Sequence, residues 1–160
     1  MTKKSCLRWC WLSLVVIVLD QLLKYWAAQQ LALYQPKVIW PFFNLTLMHN
    51  TGAAFSFLSQ QPQLALFLFA GIAIVVSLIL VIWLYKTPAK RRWTACAIAF
   101  VLGGALGNLI DRGIHGYVID FIELHYRGWY FPAFNVADTA ITIGAVMLLI
   151  EAFFVKRHKR

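Results

Sequence analysis

The chain has 160 residues, 61% of them hydrophobic and only 13% charged, with a formal charge of +9 from 15 Lys and Arg against 6 Asp and Glu. Soluble domains run about 45–50% apolar and about 25% charged. The composition therefore excludes a disordered chain, a secreted disulfide scaffold and an ordinary cytosolic enzyme. A membrane span needs about 20 apolar residues, and four stretches supply them: 9–28, 64–85, 93–110 and 136–155. Too little is left for a separate soluble unit, so residues 1–160 are expected to form a single integral-membrane domain.

The first span follows Lys3, Lys4 and Arg8, and aromatic residues mark both its ends: Trp9 and Trp11, then Tyr25 and Trp26. Its apolar run is longer than that of a signal peptide and lacks a small-x-small cleavage pattern, so a retained helix is expected. The outer segment 29–63 alternates polar and apolar residues from Asn44 to Asn50, which reads as a strand. Trp40, Phe42, Phe43, Phe55 and Phe57 make this segment too apolar for a free aqueous loop, so it should lie on the membrane surface. Asn44-Leu45-Thr46 fits the glycosylation tripeptide, a pattern too common to carry weight. The second span reads as a lipid-facing support. The third carries Gly103-x-x-x-Gly107, a spacing that lets helix backbones approach closely. In the outer segment 111–135, residues 117–124 read as a second strand, which would pair with the first in a small sheet. The fourth span ends in Lys156, Arg157, Lys159 and Arg160. Eleven of the 15 basic residues flank the start of span one, the link between spans two and three, and the end of span four. Cytoplasmic loops retain Lys and Arg, so both termini should be cytoplasmic. The basic clusters then touch membrane lipids rather than nucleic acid.

Six acids in such a chain can be taken one at a time. Glu151 reads as an interfacial charge and Glu123 as a solvated one. Ionisable groups at membrane depth are costly, so Asp20, Asp111, Asp120 and Asp138 are functional candidates. Asp20 and Lys24 are spaced i,i+4, which fits a local ion pair that tethers or orients. Asp111-Arg112 fits a paired helix terminus. Asn135 can cap span four, with Asp138 three residues on against the positive end of the dipole. Asp120 differs: on a strand it shares a face with Val118 and Ile122, a carboxylate among apolar neighbours, and burial raises its pKa. If that face folds against the start of span four, Asp120 and Asp138 meet at the outer boundary. Two carboxylates within hydrogen-bond reach share one proton, one activating water while the other polarises a carbonyl. No Gly-x-Ser-x-Gly, H-E-x-x-H, Cys/His metal spacing or phosphate loop occurs, so no metal or cofactor is expected. His49, His115 and His125 read as outer loop residues. Cys6, Cys10 and Cys96 fall at the cytoplasmic ends and read as reduced and inert.

The motifs Asp20-Gln21-Leu22-Leu23-Lys24, Asn50-Thr51-Gly52-Ala53-Ala54-Phe55, Gly103 to Arg112, Val118-Ile119-Asp120-Phe121 and Phe134-Asn135-Val136-Ala137-Asp138 stand in a fixed order. In that order they resemble the lipoprotein signal peptidase (signal peptidase II) family, over about residues 12–150. The resemblance implies a four-helix membrane core with a small outer sheet and a lid-like interfacial element. It implies an aspartyl endopeptidase of the bacterial inner membrane that cuts prolipoproteins before a diacylglyceryl-modified cysteine. Asp120 and Asp138 would be the catalytic dyad. Asn50, Gly52, Asn108, Arg112, Asn135, Asp20, Lys24 and Asp111 would bind substrate or support the site. Nothing in the sequence demands an oligomer. Two other classes remain: a small transporter, which places polar groups near the midplane, and a non-catalytic assembly factor, which needs no paired acids.

Overall fold

The computed structural model describes residues 6–52 and 61–157. A 3-10 turn, Cys6–Trp9, leads into α1 (Cys10–Gln30). Then come β1 (Lys37–Trp40), β2 (Phe43–Asn50), α2 (Pro62–Lys86), α3 (Arg92–His115), β3 (Val118–Tyr126), β4 (Trp129–Tyr130) and α4 (Val136–Arg157). Among the described residues four helices are long and apolar enough to cross a membrane. The part of the lid-like segment at residues 53–60 lies outside the described residues.

The central helix is α3, and α1, α2 and α4 all pack on it. Its small residues explain why. A Cβ at Gly103 would sit 2.8 Å from the Val16 Cβ and 2.9 Å from the Ser13 carbonyl. One at Gly104 would overlap the Ala137 carbonyl, and one at Gly107 would sit 2.8 Å from Asp20 Oδ2. Gly103 and Gly107 thus admit α1 while Gly104 admits α4, the close approach that small residues allow between apolar helices. By contrast α2 is apolar all round and exposes Phe67, Val75 and Leu78, as a lipid-facing helix would.

Helix α3 runs five residues past the end of its apolar run. Asp111 does not stop it, because Lys24 meets that charge inside the bundle at 2.8 Å. The helix ends at Gly116, whose φ of +80° closes it with an N–H donated to the Arg112 carbonyl.

The expected two-stranded pairing is present within a larger antiparallel sheet of order β1-β2-β3-β4. Asn44 lies opposite Glu123, Met48 opposite Asp120 and Asn50 opposite Val118. Asn44 and Thr46 reach Glu123, and Asn50 reaches Asp120 beyond a bulge between Leu45 and Met48 that shifts the register. Leu47, Ile119 and Phe121 pack on the outer end of α1 at Ala27 and Leu31. Arg127 (φ 49°) and Gly128 (φ 85°) make the tight turn between β3 and β4. The chain then returns to pair Phe134 with Ile122, which delivers Asn135 beside β3 at the start of α4.

The opposite ends of the helices converge as well. The Cys6 thiol donates to the Pro88 carbonyl at 3.3 Å, and the Thr94 hydroxyl donates to Glu151 at 2.6 Å. The three basic-flanked ends therefore share one end of the bundle, and the sheet occupies the other.

Candidate active site

Asp120 is buried on β3, with both carboxylate oxygens occupied. Oδ1 accepts from Asn135 Nδ2 at 2.7 Å and Oδ2 from Asn50 Nδ2 at 2.9 Å. Burial pushes its pKa up to about 7, and the Asp138 charge adds to the rise. The two amide donors oppose the shift without cancelling it. Asn50 is itself held, since its Oδ1 accepts the Gly52 N–H at 2.8 Å. That turn requires glycine: Gly52 has φ +88°, and a Cβ there would overlap the Phe69 ring.

Asp138 sits in the first turn of α4. Asn135 Oδ1 accepts the Asp138 N–H at 2.9 Å, and Asp138 Oδ2 accepts the Asn135 N–H at 3.3 Å. Asn135 thus caps α4 as expected, and Asp138 returns a bond to the Asn135 backbone. The other oxygen is not part of the cap: Asp138 Oδ1 accepts from Asn108 Nδ2 at 2.7 Å. Asn135, with no exposed surface, links the two acids. Its amide nitrogen donates to Asp120 and also lies 3.1 Å from Asn108 Oδ1, while its oxygen holds the Asp138 N–H.

Beneath this layer Lys24 acts as a hub. Its Nζ lies 2.8 Å from Asp20 Oδ2, 2.8 Å from Asp111 Oδ2 and 2.9 Å from Asn108 Oδ1. The expected i,i+4 pair is present, but Asp111 pairs with Lys24 rather than with its neighbour Arg112. Each acid then fixes one outer element. Asp20 Oδ1 accepts the Ala137 N–H at 2.8 Å, which caps α4 from a different helix. Asp111 Oδ2 accepts the Ile119 N–H at 3.0 Å, one residue before Asp120. Arg112 donates to the Asn108 carbonyl at 3.2 Å, lies over the Phe69 ring, and is within electrostatic reach of Asp138, Asp111 and Asp120.

Two groups were missed by sequence reasoning. Gln21 donates to Asp111 Oδ1 at 2.8 Å and to the Gly107 carbonyl at 3.2 Å; its place between Asp20 and Lys24 was the available signal. Glu123 is buried and not solvated. Asn44 Nδ2 and Thr46 Oγ1 donate to its Oε2 at 3.0 and 2.8 Å. The glycosylation-like tripeptide thus supplies the two donors that satisfy a buried carboxylate. Asn44 lies directly across from Glu123 and Thr46 is Asn44's same-face neighbour on β2, a pairing that residue order does not reveal.

The histidines pack on aromatic rings. His49 stacks on Tyr117 at 3.9 Å, and burial, then the charge of His115, push its pKa down. His125 stacks on Tyr130. Among the described residues no group of three or more His, Cys, Asp or Glu is arranged to hold a metal ion. Cys6, Cys10 and Cys96 are unbridged.

Residues 12–154 match the family model described as Signal peptidase (SPase) II. The chain belongs to this family. It is 48% identical to a lipoprotein signal peptidase from Yersinia enterocolitica, over 99% of this chain and 96% of that one. It is 51% identical to one from Pseudomonas syringae, over 98% and 91%. Two solved structures, both described as a bacterial membrane enzyme, superpose with TM-scores of 0.84 and 0.83. The first is 32% identical and covers 96% of this chain and 92% of its own; the second is 33% identical and covers 95% and 97%. The chain is therefore a multi-pass bacterial membrane protein and a protease of the signal peptidase II type.

Proposed function

We propose that Asp120 and Asp138 form the acid pair of a metal-independent aspartic endopeptidase that removes signal peptides from prolipoproteins, cutting before the diacylglyceryl-modified cysteine. The observation that carries this reading is Asn135, which holds the Asp120 carboxylate with one atom and caps the Asp138 backbone with another. Asp120, held near pH 7 by burial, carries the shared proton and donates it toward the scissile carbonyl. Asp138 takes a proton from water, which adds to the carbonyl carbon. The tetrahedral product collapses as a proton passes to the leaving amine. Asn50, Asn108 and Asn135 keep the carboxyls in place, Gly52 shapes the turn that holds Asn50, and Arg112 offsets negative charge. Asp20, Lys24 and Asp111 fix the elements that carry the pair.

In this reading the basic ends of the bundle are cytoplasmic, and the sheet and the acid pair lie at the periplasmic face of the inner membrane. The signal helix and the acyl chains of the precursor already lie in the bilayer, so the membrane supplies much of the positioning. The 29–63 segment covers the bound substrate. The protein meets membrane lipids and its precursors, and needs no second copy.

The test is cleavage of a diacylglyceryl-modified precursor by purified, folded variants. Asp120→Asn and Asp138→Asn are each expected to lower kcat by at least about 10²–10⁴-fold. Normal turnover by either would refute the assignment. The polar network sits at one end of the bundle, which gives no support to transport through the midplane.

A further inference from the structure

A cavity of about 210 Å³ lies at the basic end of the bundle, opposite the sheet. Helices α2 and α4 each pack on α3 rather than on one another, so a cleft runs between them. The cavity closes this cleft at its basic end. Thr94 of α3 is its floor, and Trp83 of α2 faces Leu148 and Ala152 of α4 across it. Leu148, Glu151 and Ala152 share one helix face by their spacing. Arg91, from the link between α2 and α3, and Glu151 bring the only two charges to its lining.

Those two charges do not pair with each other. Among the described residues every ion pair belongs to Lys24, at the other end of the bundle. The buried Thr94 hydroxyl lies 2.6 and 2.8 Å from the two Glu151 oxygens. One hydroxyl has one proton, so the carboxylate keeps most of its capacity to accept, while a guanidinium such as that of Arg91 has five N–H groups to donate. The cavity therefore presents a fixed anion and a separate cation beside apolar walls.

The complement of such a lining is a zwitterion. A wholly anionic head would gain Arg91 but meet Glu151. A basic peptide would gain Glu151 but meet Arg91, with Lys86, Lys90 and Arg92 close by in sequence. A quaternary ammonium has no N–H to give a carboxylate, whereas a primary ammonium has three. The apolar walls of Trp83, Leu148 and Ala152 open into the cleft, so the zwitterion is expected to carry hydrocarbon.

We propose that this cavity binds the head of a phospholipid of the phosphatidylethanolamine class, with the phosphate at Arg91, the primary ammonium at Glu151 and the acyl chains in the cleft between α2 and α4. Such a lipid fastens α2 to α4 where the protein itself leaves them apart. The site is separate from the acid pair.

The experiment is native mass spectrometry of the full chain in detergent, with phosphatidylethanolamine, phosphatidylcholine and phosphatidylglycerol of identical chains. The parent should retain the ethanolamine lipid about ten-fold better than the choline lipid, the discrimination of one charge-assisted hydrogen bond. Glu151→Gln keeps an acceptor for the Thr94 hydroxyl and should remove that preference while leaving choline-lipid retention unchanged, which also shows that the variant is folded. Leu148→Trp fills the cavity, should lower retention of both zwitterionic lipids, and stands in if Glu151→Gln does not fold. A parent that retains phosphatidylglycerol as well as phosphatidylethanolamine, or a Glu151→Gln preference equal to the parent's, overturns the site. So does displacement of the lipid by equimolar glycerophosphoethanolamine, which has the head without the chains. A Glu151→Gln variant that keeps the ethanolamine lipid but loses a synthetic lysine-bearing signal peptide gives the cavity to a peptide instead and overturns it too.

Discussion

Burial pushes the Asp120 carboxyl up to about 7, so its proton should leave a signature in both rate and stability. In the proposed mechanism the pair needs that proton, so kcat/KM should fall as pH rises through about 7, read from a rate profile on a lipidated precursor. Stability moves in the same direction for a different reason. Between about pH 4 and pH 7 the unfolded chain gives up this proton while the folded chain keeps it, so folding weakens as pH rises across that window. Asp120→Asn carries no such proton, and its melting temperature should lose that slope. A chelator should leave turnover unchanged; loss that zinc restores would move attention to the histidines.

The same residue scale shows how far the sequence could be read. Asp120 was legible because an acid on an otherwise apolar strand face has no ordinary explanation. Asp138 read locally as a cap, since the Asn135–Asp138 spacing accounts for it, and as a partner of Asp120 only if the strand face folds onto the start of span four. Glu123 was misread because its partners lie about 80 positions upstream and meet it only through the pairing of β2 with β3. Lys24 was read as a two-body pair, and its second acid, Asp111, comes from a helix end that composition placed too early.

Among the elements, α4 is held at its first turn by α1. Lys24→Ala would leave Asp20 and Asp111 buried without their cation, an imbalance of about 3–5 kcal/mol, visible as a fall in melting temperature in detergent. Asp20→Asn keeps one acceptor for the Ala137 N–H, so it should lower stability less and leave measurable cleavage in the folded fraction. Gly104→Ala places a methyl against the Ala137 carbonyl, where backbone and not a flexible side chain must yield. It should cost about 1–3 kcal/mol and lower kcat as well, since Asp138 is the residue after the one displaced. Gly113, which has open space around it, is the control: Gly113→Ala should change neither. The four spans and the two main strands followed from hydrophobic period. The edge strands did not, because β1 and β4 are only four and two residues long and exist by pairing with their neighbours.

For the whole molecule, the acid pair and its supports gather toward the sheet end of an apolar bundle, and several of their bonds join distant stretches of chain. Asp20 is translated more than a hundred residues before the Ala137 N–H that it caps. A ribosome emits the first span long before the last, and until the last arrives the nascent chain has neither Asp138 nor Asn135 and holds an acid with no helix end to receive it. On the reading proposed above, hydrolytic competence therefore waits until the fourth span has been made.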